Sequence, residues 1–467
     1  MDKIRKLKLP VQEFITTDLI QDILVRHAAE KHRILKMKEY YQNRNKITKR
    51  TLQDPNKPNN RLSHGYAKYI TDTYSGYFLG EPITYKCGKE ETLERLTQVF
   101  KFNDEHANNI QLAQEASIAG YAYELLYIDE AGELRFKALP TEEVVVVYDN
   151  TIEENIQFAI RYYDVYTLDN EELKEVIVYT PTEIIMYDYT GNALYEKGTV
   201  QHYFSDVPIA DYENNEYRLG DFEPVLSLID AYDQANSDTA NDFEYFTNAL
   251  LVVSGVTMSE TDEEGRPLNF KDNRVLNFLD SNSKAEYLIK NINDTALENY
   301  KNRLNTDIHK FTNIIDICDE NFASNLSGVA MKYKLMGMEN TAGIKESKFR
   351  KGIMRRLELM FTILNLQTAS GYLYTEVSPV FTRSIPVNEA ELVNMAKSLY
   401  GIVSEPTLLS LLPFIEDVQQ ELDALAKEKE ERALELADYQ FAQEEEEGEQ
   451  VEASVESGEE VDGERDE

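Results

Sequence analysis

Between Lys332 and Arg356 the chain concentrates eight basic residues, Lys332, Lys334, Lys345, Lys348, Arg350, Lys351, Arg355 and Arg356, against only Glu339 and Glu346. That local charge of +6 lies within a chain of net charge −37. Ammonium and guanidinium groups at such density bind phosphates or carboxylates. On a helix, Lys345, Lys348, Lys351 and Arg355 fall near one face, opposite Ile353, Leu357, Met360 and Leu364. Three uses fit: contact with the phosphates of a polyanion, ion pairs to an acidic neighbouring subunit, or a solvated polar face. Lys332, Lys334, Lys345, Lys348, Lys351 and Arg355 are the candidate contact residues.

Other chemistry is sparse. His27 and His32 are five apart on one helix, about 140° round its axis, so they do not converge on a metal and read as solvated. Cys87 and Cys318 form no disulfide framework and no zinc pattern, which suits a reducing, cytoplasmic setting. Asp316, Asp319 and Glu320 resemble a metal cluster, but a solvated loop is the better reading. Glu260, Asp262, Glu263 and Glu264 form an acidic turn, either plainly solvated or a docking surface. No G-x-x-x-x-G-K-[ST] loop, no G-x-G-x-x-G after a strand and no H-E-x-x-H helix is present. The expectation is a non-enzyme with no catalytic residue, cofactor or metal.

The elements that must position these residues are mainly helical. A helix from about 294 to 316 opens on Thr295 and Glu298, a capping box. It carries Leu297, Tyr300, Leu304, Ile308, Phe311 and Ile315, a stripe close to the 3.5 period of helices packed on helices. A break at Asp319–Asn325 follows, and the basic helix begins near Ser327. Upstream, helices are predicted at 17–42, 62–79, 92–101 and 104–119. Strands are predicted at 121–128, 134–139, 144–148, 156–163, 174–180, 183–188 and 194–197. The first 200 residues therefore read as an α+β domain. Pro224 opens a long helix to about 248. Strands near 250–256, 274–279 and 285–289 then make a small β tip between two long helices. Helical segments follow at 388–402 and 406–438.

Charge is unevenly spread. Residues 444–467 hold 13 Asp/Glu and one Arg and read as a disordered tail. Residues 1–61 hold 15 Lys/Arg against seven Asp/Glu. An acidic body does not wrap DNA tightly, because affinity for DNA comes largely from Lys and Arg displacing counterions. No apolar run approaches a membrane span, and Met-Asp-Lys-Ile-Arg-Lys lacks a signal-peptide core, so a soluble intracellular protein is expected.

Residues 59–85, Asn-Asn-Arg-Leu-Ser-His-Gly-Tyr-Ala-Lys-Tyr-Ile-Thr-Asp-Thr-Tyr-Ser-Gly-Tyr-Phe-Leu-Gly-Glu-Pro-Ile-Thr-Tyr, resemble a characteristic stretch of the portal proteins of siphophages that infect Gram-positive bacteria. Tyr40-Tyr41 with Ile47 and Arg50, Gly120–Tyr127 and Ser327–Leu335 are weaker matches in the same order. Asn43-Arg44-Asn45 departs from the usual Gly/His-bearing core of the first of these. The resemblance implies an α+β, mainly helical portal fold with wing, stem, clip and crown. It also implies a ring, usually dodecameric, at the capsid vertex of the virion, made in the host cytoplasm. Double-stranded DNA passes through, driven by terminase, and the ring docks terminase, a head-completion adaptor, major capsid protein and scaffold protein. Transferred onto this chain, 1–220 is wing, 221–249 and 291–316 are stem helices and 250–290 is clip. Residues 317–328 become the tunnel loop, with Asn321, Phe322, Ala323, Ser324 and Asn325 at its centre. The helix of 329–385 returns to the wing, 386–441 is crown and 442–467 is tail. In that setting the basic run is better read as glue between acidic subunits than as a DNA clamp, which would stall its cargo. The rival readings are a monomeric scaffold protein and a packaging enzyme of terminase type.

Overall fold

The computed structural model describes residues 5–12, 14–55, 57–166, 172–191, 193–247, 250–254, 284–288, 294–316, 328–368, 370–384, 389–412, 415, 418–430 and 432, with backbone alone at 166, 172–173, 245–247, 250–254, 284–288, 328–332 and 389–391. The chain divides into two units, residues 1–384 and 385–467.

In the first unit a six-stranded sheet runs in the order β1 (Leu7–Leu9), β5 (Val144–Asp149), β6 (Ile156–Tyr166), β7 (Glu172–Tyr179), β8 (Glu183–Thr190), β9 (Ala193–Gln201). All neighbours are antiparallel except β1 on β5, where Leu7 pairs with Val147. Alternation along β5 explains the layering. Val145 and Val147 face helix α1 (Thr17–Tyr41) with Ile20, Ile23, Phe158 and Val178. Val144, Val146 and Tyr148 face the other way, onto Tyr121, Tyr123 and Ile209. Those residues belong to a three-stranded sheet ordered β10 (Ile209–Glu213), β3 (Tyr121–Ile128), β4 (Leu134–Leu139). Its far face supports α2 (Tyr66–Leu79), α3 (Glu90–Asn103), α4 (Glu105–Ala119) and α7 (Gly328–Thr368) around Phe78, Leu96, Leu112, Phe136, Phe349, Ile353, Leu357 and Leu364. Each such burial contributes about 1.5–3 kcal/mol.

The mixed α+β architecture matches the expected class, and most element boundaries fall within a few residues. The departures have physical causes. Residues 62–65 extend rather than open α2, because their amides are bonded by another helix, as described below. Strands β1 and β10 went unseen, being short and without a turn signal. The helical segment expected at 406–438 is divided: α9 (Glu405–Leu409) ends in a turn at 410–411, and α10 covers 418–430. In that second unit, α8 (Glu389–Leu399), α9 and α10 enclose an apolar groove of about 530 Å³ lined by Val393, Ala396, Leu408, Leu412 and Leu425. The strand expected at 274–279 and the acidic tail lie outside the described residues. Cys87 is half-buried against the large core.

His27 corrects an expectation: it is buried, not solvated, whereas His32 is exposed. His27 Nδ1 lies 2.8 Å from the Tyr162 hydroxyl, and Nε2 has no partner among the described residues. Burial lowers its pKa to about 4, with Lys31 adding to the effect and Glu30 opposing it. The unfolded chain binds the proton more readily, so this contribution to stability is complete above pH 6.5 and is lost as pH falls towards 4. The loss approaches about 3 kcal/mol. Urea unfolding of His27→Gln against the parent between pH 7 and 4 should show the parent losing more stability; parallel curves would refute the assignment.

Candidate functional site

Helix α2 joins the parts that the sequence singled out. Tyr66, Tyr69, Tyr74 and Tyr77 lie within one arc of about 140°, at 100° per residue. Their hydroxyls donate to Asn305 Oδ1 (2.6 Å), the Ile315 carbonyl (2.9 Å), the Thr312 carbonyl (2.6 Å) and Glu339 Oε2 (2.7 Å). Helix α6 (Asp294–Thr312) ends in this row, and its last carbonyls need such partners. Burial pushes the hydroxyl pKa values of Tyr66, Tyr74 and Tyr77 upward, so these groups stay protonated donors. Glu339, near the start of α7, also receives Arg383 at 3.1 Å. One short helix thus holds the end of α6 and the first third of α7.

Helix α5 (Leu226–Thr247) packs along α6 and grips the loop between α1 and α2. It does so with a polar stripe at spacings of three and four: Asp230, Asp233, Ser237, Asn241 and Glu244. Asp230 accepts the Tyr40 hydroxyl at 2.7 Å. Asp233, fully buried, accepts the His64 amide (2.9 Å) and Asn45 Nδ2 (2.6 Å) and lies 2.8 Å from His64 Nδ1. Ser237 accepts the Leu62 amide (2.9 Å), Asn241 the Asn60 amide (2.7 Å) and Glu244 the Asn60 side chain (2.9 Å). An extended segment without a β partner must find its hydrogen bonds somewhere, and here they come from α5. Beyond α5 and ahead of α6, β11 (Leu250–Ser254) and β12 (Lys284–Leu288) pair antiparallel, so a two-stranded sheet lies between the two long helices in the sequence.

Much of the basic run is used inside the chain. Lys345 is buried and pairs with Asp221, with Asn214 Oδ1 at 2.7 Å. Lys348 meets Glu213 (3.3 Å) and Glu216, and Arg350 meets Glu346 at 2.7 Å. Arg355 meets Asp206 and Glu358, both at 2.8 Å. Arg356 is fully buried, donating to both oxygens of Glu124 at 2.8 Å, to Glu105 at 3.1 Å and to Asn109 at 2.7 Å. Burial alone would lower its pKa, but Glu124 and Glu105 outweigh that and hold it above the ordinary arginine value. Glu124 stands on the same face of β3 as Ala122 and Leu126, a carboxylate inside an apolar row. Lys351 is exposed, as is Lys334, while the side chain of Lys332 lies outside the described residues.

The central tunnel-loop residues Asn321–Asn325, the acidic turn from Glu260 to Glu264, and Cys318, Asp319 and Glu320 also lie outside them. Among the described residues no group of three His, Cys, Asp or Glu could hold a metal ion. No helix there is long and apolar enough to cross a membrane. The α2 tyrosines and the α5 stripe were missed as a site. The signal was available, as four tyrosines in 14 residues and five polar residues at helical spacing.

The family model of phage portal proteins, SPP1 Gp6-like, matches residues 20–434. The chain belongs to this portal family. The portal protein of Bacillus phage SPP1 is 26% identical over 441 residues, covering 88% of this chain and 86% of that one. The portal protein of Clostridium phage phiCD119 is 26% identical over 446 residues, covering 90% and 97%. Both source phages infect Gram-positive hosts, as the motif at 59–85 implied. A solved structure, the neck of a native GTA particle computed with C12 symmetry, is similar over 74% of this chain and 90% of its own at 10% identity and a TM-score of 0.40. Portal proteins are structural components of the capsid vertex, not enzymes, and membership assigns that role to this chain. The motif at 59–85 comprises the portal's α5-bound segment and the tyrosine helix that follows it.

Proposed function

We propose that twelve copies form a ring through which double-stranded DNA is packaged by terminase and later ejected. In that reading α5 and α6 are the stem, 250–290 the clip, 317–328 the tunnel loop, 386–441 the crown and the remaining sheets and helices the wing. Terminase and a head-completion adaptor dock on the clip, where Glu260, Asp262, Glu263 and Glu264 supply the charge, and capsid and scaffold proteins surround the wing. The observation that carries the reading is the open apolar surface along α5, α6 and the start of α7. Phe243, Tyr300, Phe311, Tyr333 and Met336 are 50–74% exposed, although the same helices bury Ser237, Leu304, Ile308, Met338 and Ala342 elsewhere along their length. Neighbouring copies would cover them. Lys351 and Lys334 are proposed contacts to a neighbour or to DNA.

Inserting residues into Asn321–Asn325, or charging them, should leave rings intact in end-on electron micrographs while sharply reducing DNA packaging. Normal packaging would remove the tunnel-loop assignment, and a monomeric parent chain would remove the ring.

A further inference from the structure

The loop from Gln42 to Arg61 carries Arg44, Lys46, Lys49, Arg50, Lys57 and Arg61 against Asp54, a local charge of +5. Arg50 turns inward, to Asn59 Oδ1 (3.0 Å), the Asn60 carbonyl (2.7 Å) and Asp238 (2.7 Å). The other five are exposed. Lys49 shares Glu39 at 2.7 Å, and Arg61 reaches the Thr48 carbonyl at 3.3 Å. Arg44, Lys46 and Lys57 have no ion-pair partner among the described residues. Leu52 and Leu62, 39% and 43% exposed, lie on the same loop.

The support is fixed. The stripe on α5 and the bonds of Asn45, Asn59 and Arg50 hold the backbone at both ends of the loop, so docking has mainly the exposed side chains left to order. A surface of this kind, with cations around exposed leucines, suits a protein partner better than a phosphate backbone, which offers nothing to the leucines.

We propose that this loop is a docking surface for an acidic face of a second copy of the chain. The inference rests on the ring reading and names one of its contacts. Identical copies with the same net charge repel when like faces meet. A closed ring brings two different faces together, so a basic loop on one can meet carboxylates on the next. Exposed carboxylates are available on the same unit, for example Glu90, Glu91 and Glu94 on α3 and Glu130 and Glu133 in the β3–β4 turn.

The test uses the full chain with Arg44→Glu, Lys46→Glu and Lys57→Glu combined, followed by native mass measurement and negative-stain imaging at fixed protomer concentration. The expected result is that half-assembly needs at least about ten-fold more protein than the parent, with an unchanged circular dichroism spectrum. A triple Ala variant should shift the same way by a smaller factor, and it decides the matter if the Glu variant misfolds. Assembly of a folded variant at the parental concentration overturns the inference while leaving the ring intact. Failure of the parent to assemble overturns the ring reading and this inference with it. A labelled 20-base-pair duplex is the remaining arm: binding by the parent that the triple variant loses, with its rings unaffected, would also overturn it and make the loop a phosphate site.

Discussion

Replacing Arg356 with Met should destabilise the first unit by about 3–5 kcal/mol, because it leaves Glu124 and Glu105 buried without their cation. The side chain would still fill much of the volume between Phe136 and Tyr212, so lost packing contributes little. Glu124 would keep only Asn108 Nδ2 (2.6 Å) and the Tyr212 hydroxyl (2.8 Å). The check is a mutant cycle in urea at fixed protomer concentration, comparing Arg356→Met, the two Glu→Gln changes and all three together. Adding Glu124→Gln and Glu105→Gln to Arg356→Met should recover most of the loss, because an all-neutral cluster avoids the desolvation of a lone charge. If Arg356→Met alone costs under about 1 kcal/mol, comparable to a surface pair, the cluster does not hold α7 to β3.

Gly120→Ala should cost on the order of 3–5 kcal/mol, combining backbone strain with overpacking. Gly120 ends α4 at φ +94°, and a Cβ there would lie 1.9 Å from the Arg218 carbonyl oxygen. Neither side can yield cheaply. The Gly120 carbonyl accepts the Asn214 amide at 2.9 Å, and the Arg218 carbonyl accepts Arg5 at 2.5 Å. The Arg218 guanidinium is itself fixed by Asp211, Glu213 (3.0 Å) and the Tyr148 hydroxyl (2.9 Å). Gly132→Ala provides the control, since Gly132 also has positive φ, +83°, but a Cβ there meets nothing within 4 Å. Its cost should stay near 1 kcal/mol. Equal losses for the two variants would show that strain alone, without the close approach, sets the penalty at Gly120.

What could be read before folding followed local rules. Val144–Tyr148 alternates between two buried faces, so a strand was visible without knowing what covered it. The stripe on α6 was visible too, but Leu304 and Ile308 are buried while Tyr300 and Phe311 remain open, and periodicity cannot distinguish these. Long-range polar contacts were not legible. Nothing near Lys345 in the sequence points to Asp221, and nothing near Asp233 points to the amide of His64. The basic run was therefore recognised as a cluster, while its partners on β3, β10 and the segment before α5 required the fold. His27 was misread as solvated for the same reason: Tyr162, the group it meets, arrives from a strand 135 residues away.

The closure of Lys345 and Arg356 inside the protein has a consequence for ionic strength. Mobile ions screen charges that water reaches, over about 8–10 Å at physiological salt, and they do not enter a packed interior. The pairs that bind α7 to the sheets keep nearly their full strength in concentrated salt, while exposed pairs such as Lys49–Glu39 fade. Salt thus acts mainly on the charges that one copy presents at its surface and little on the buried pairs that anchor α7.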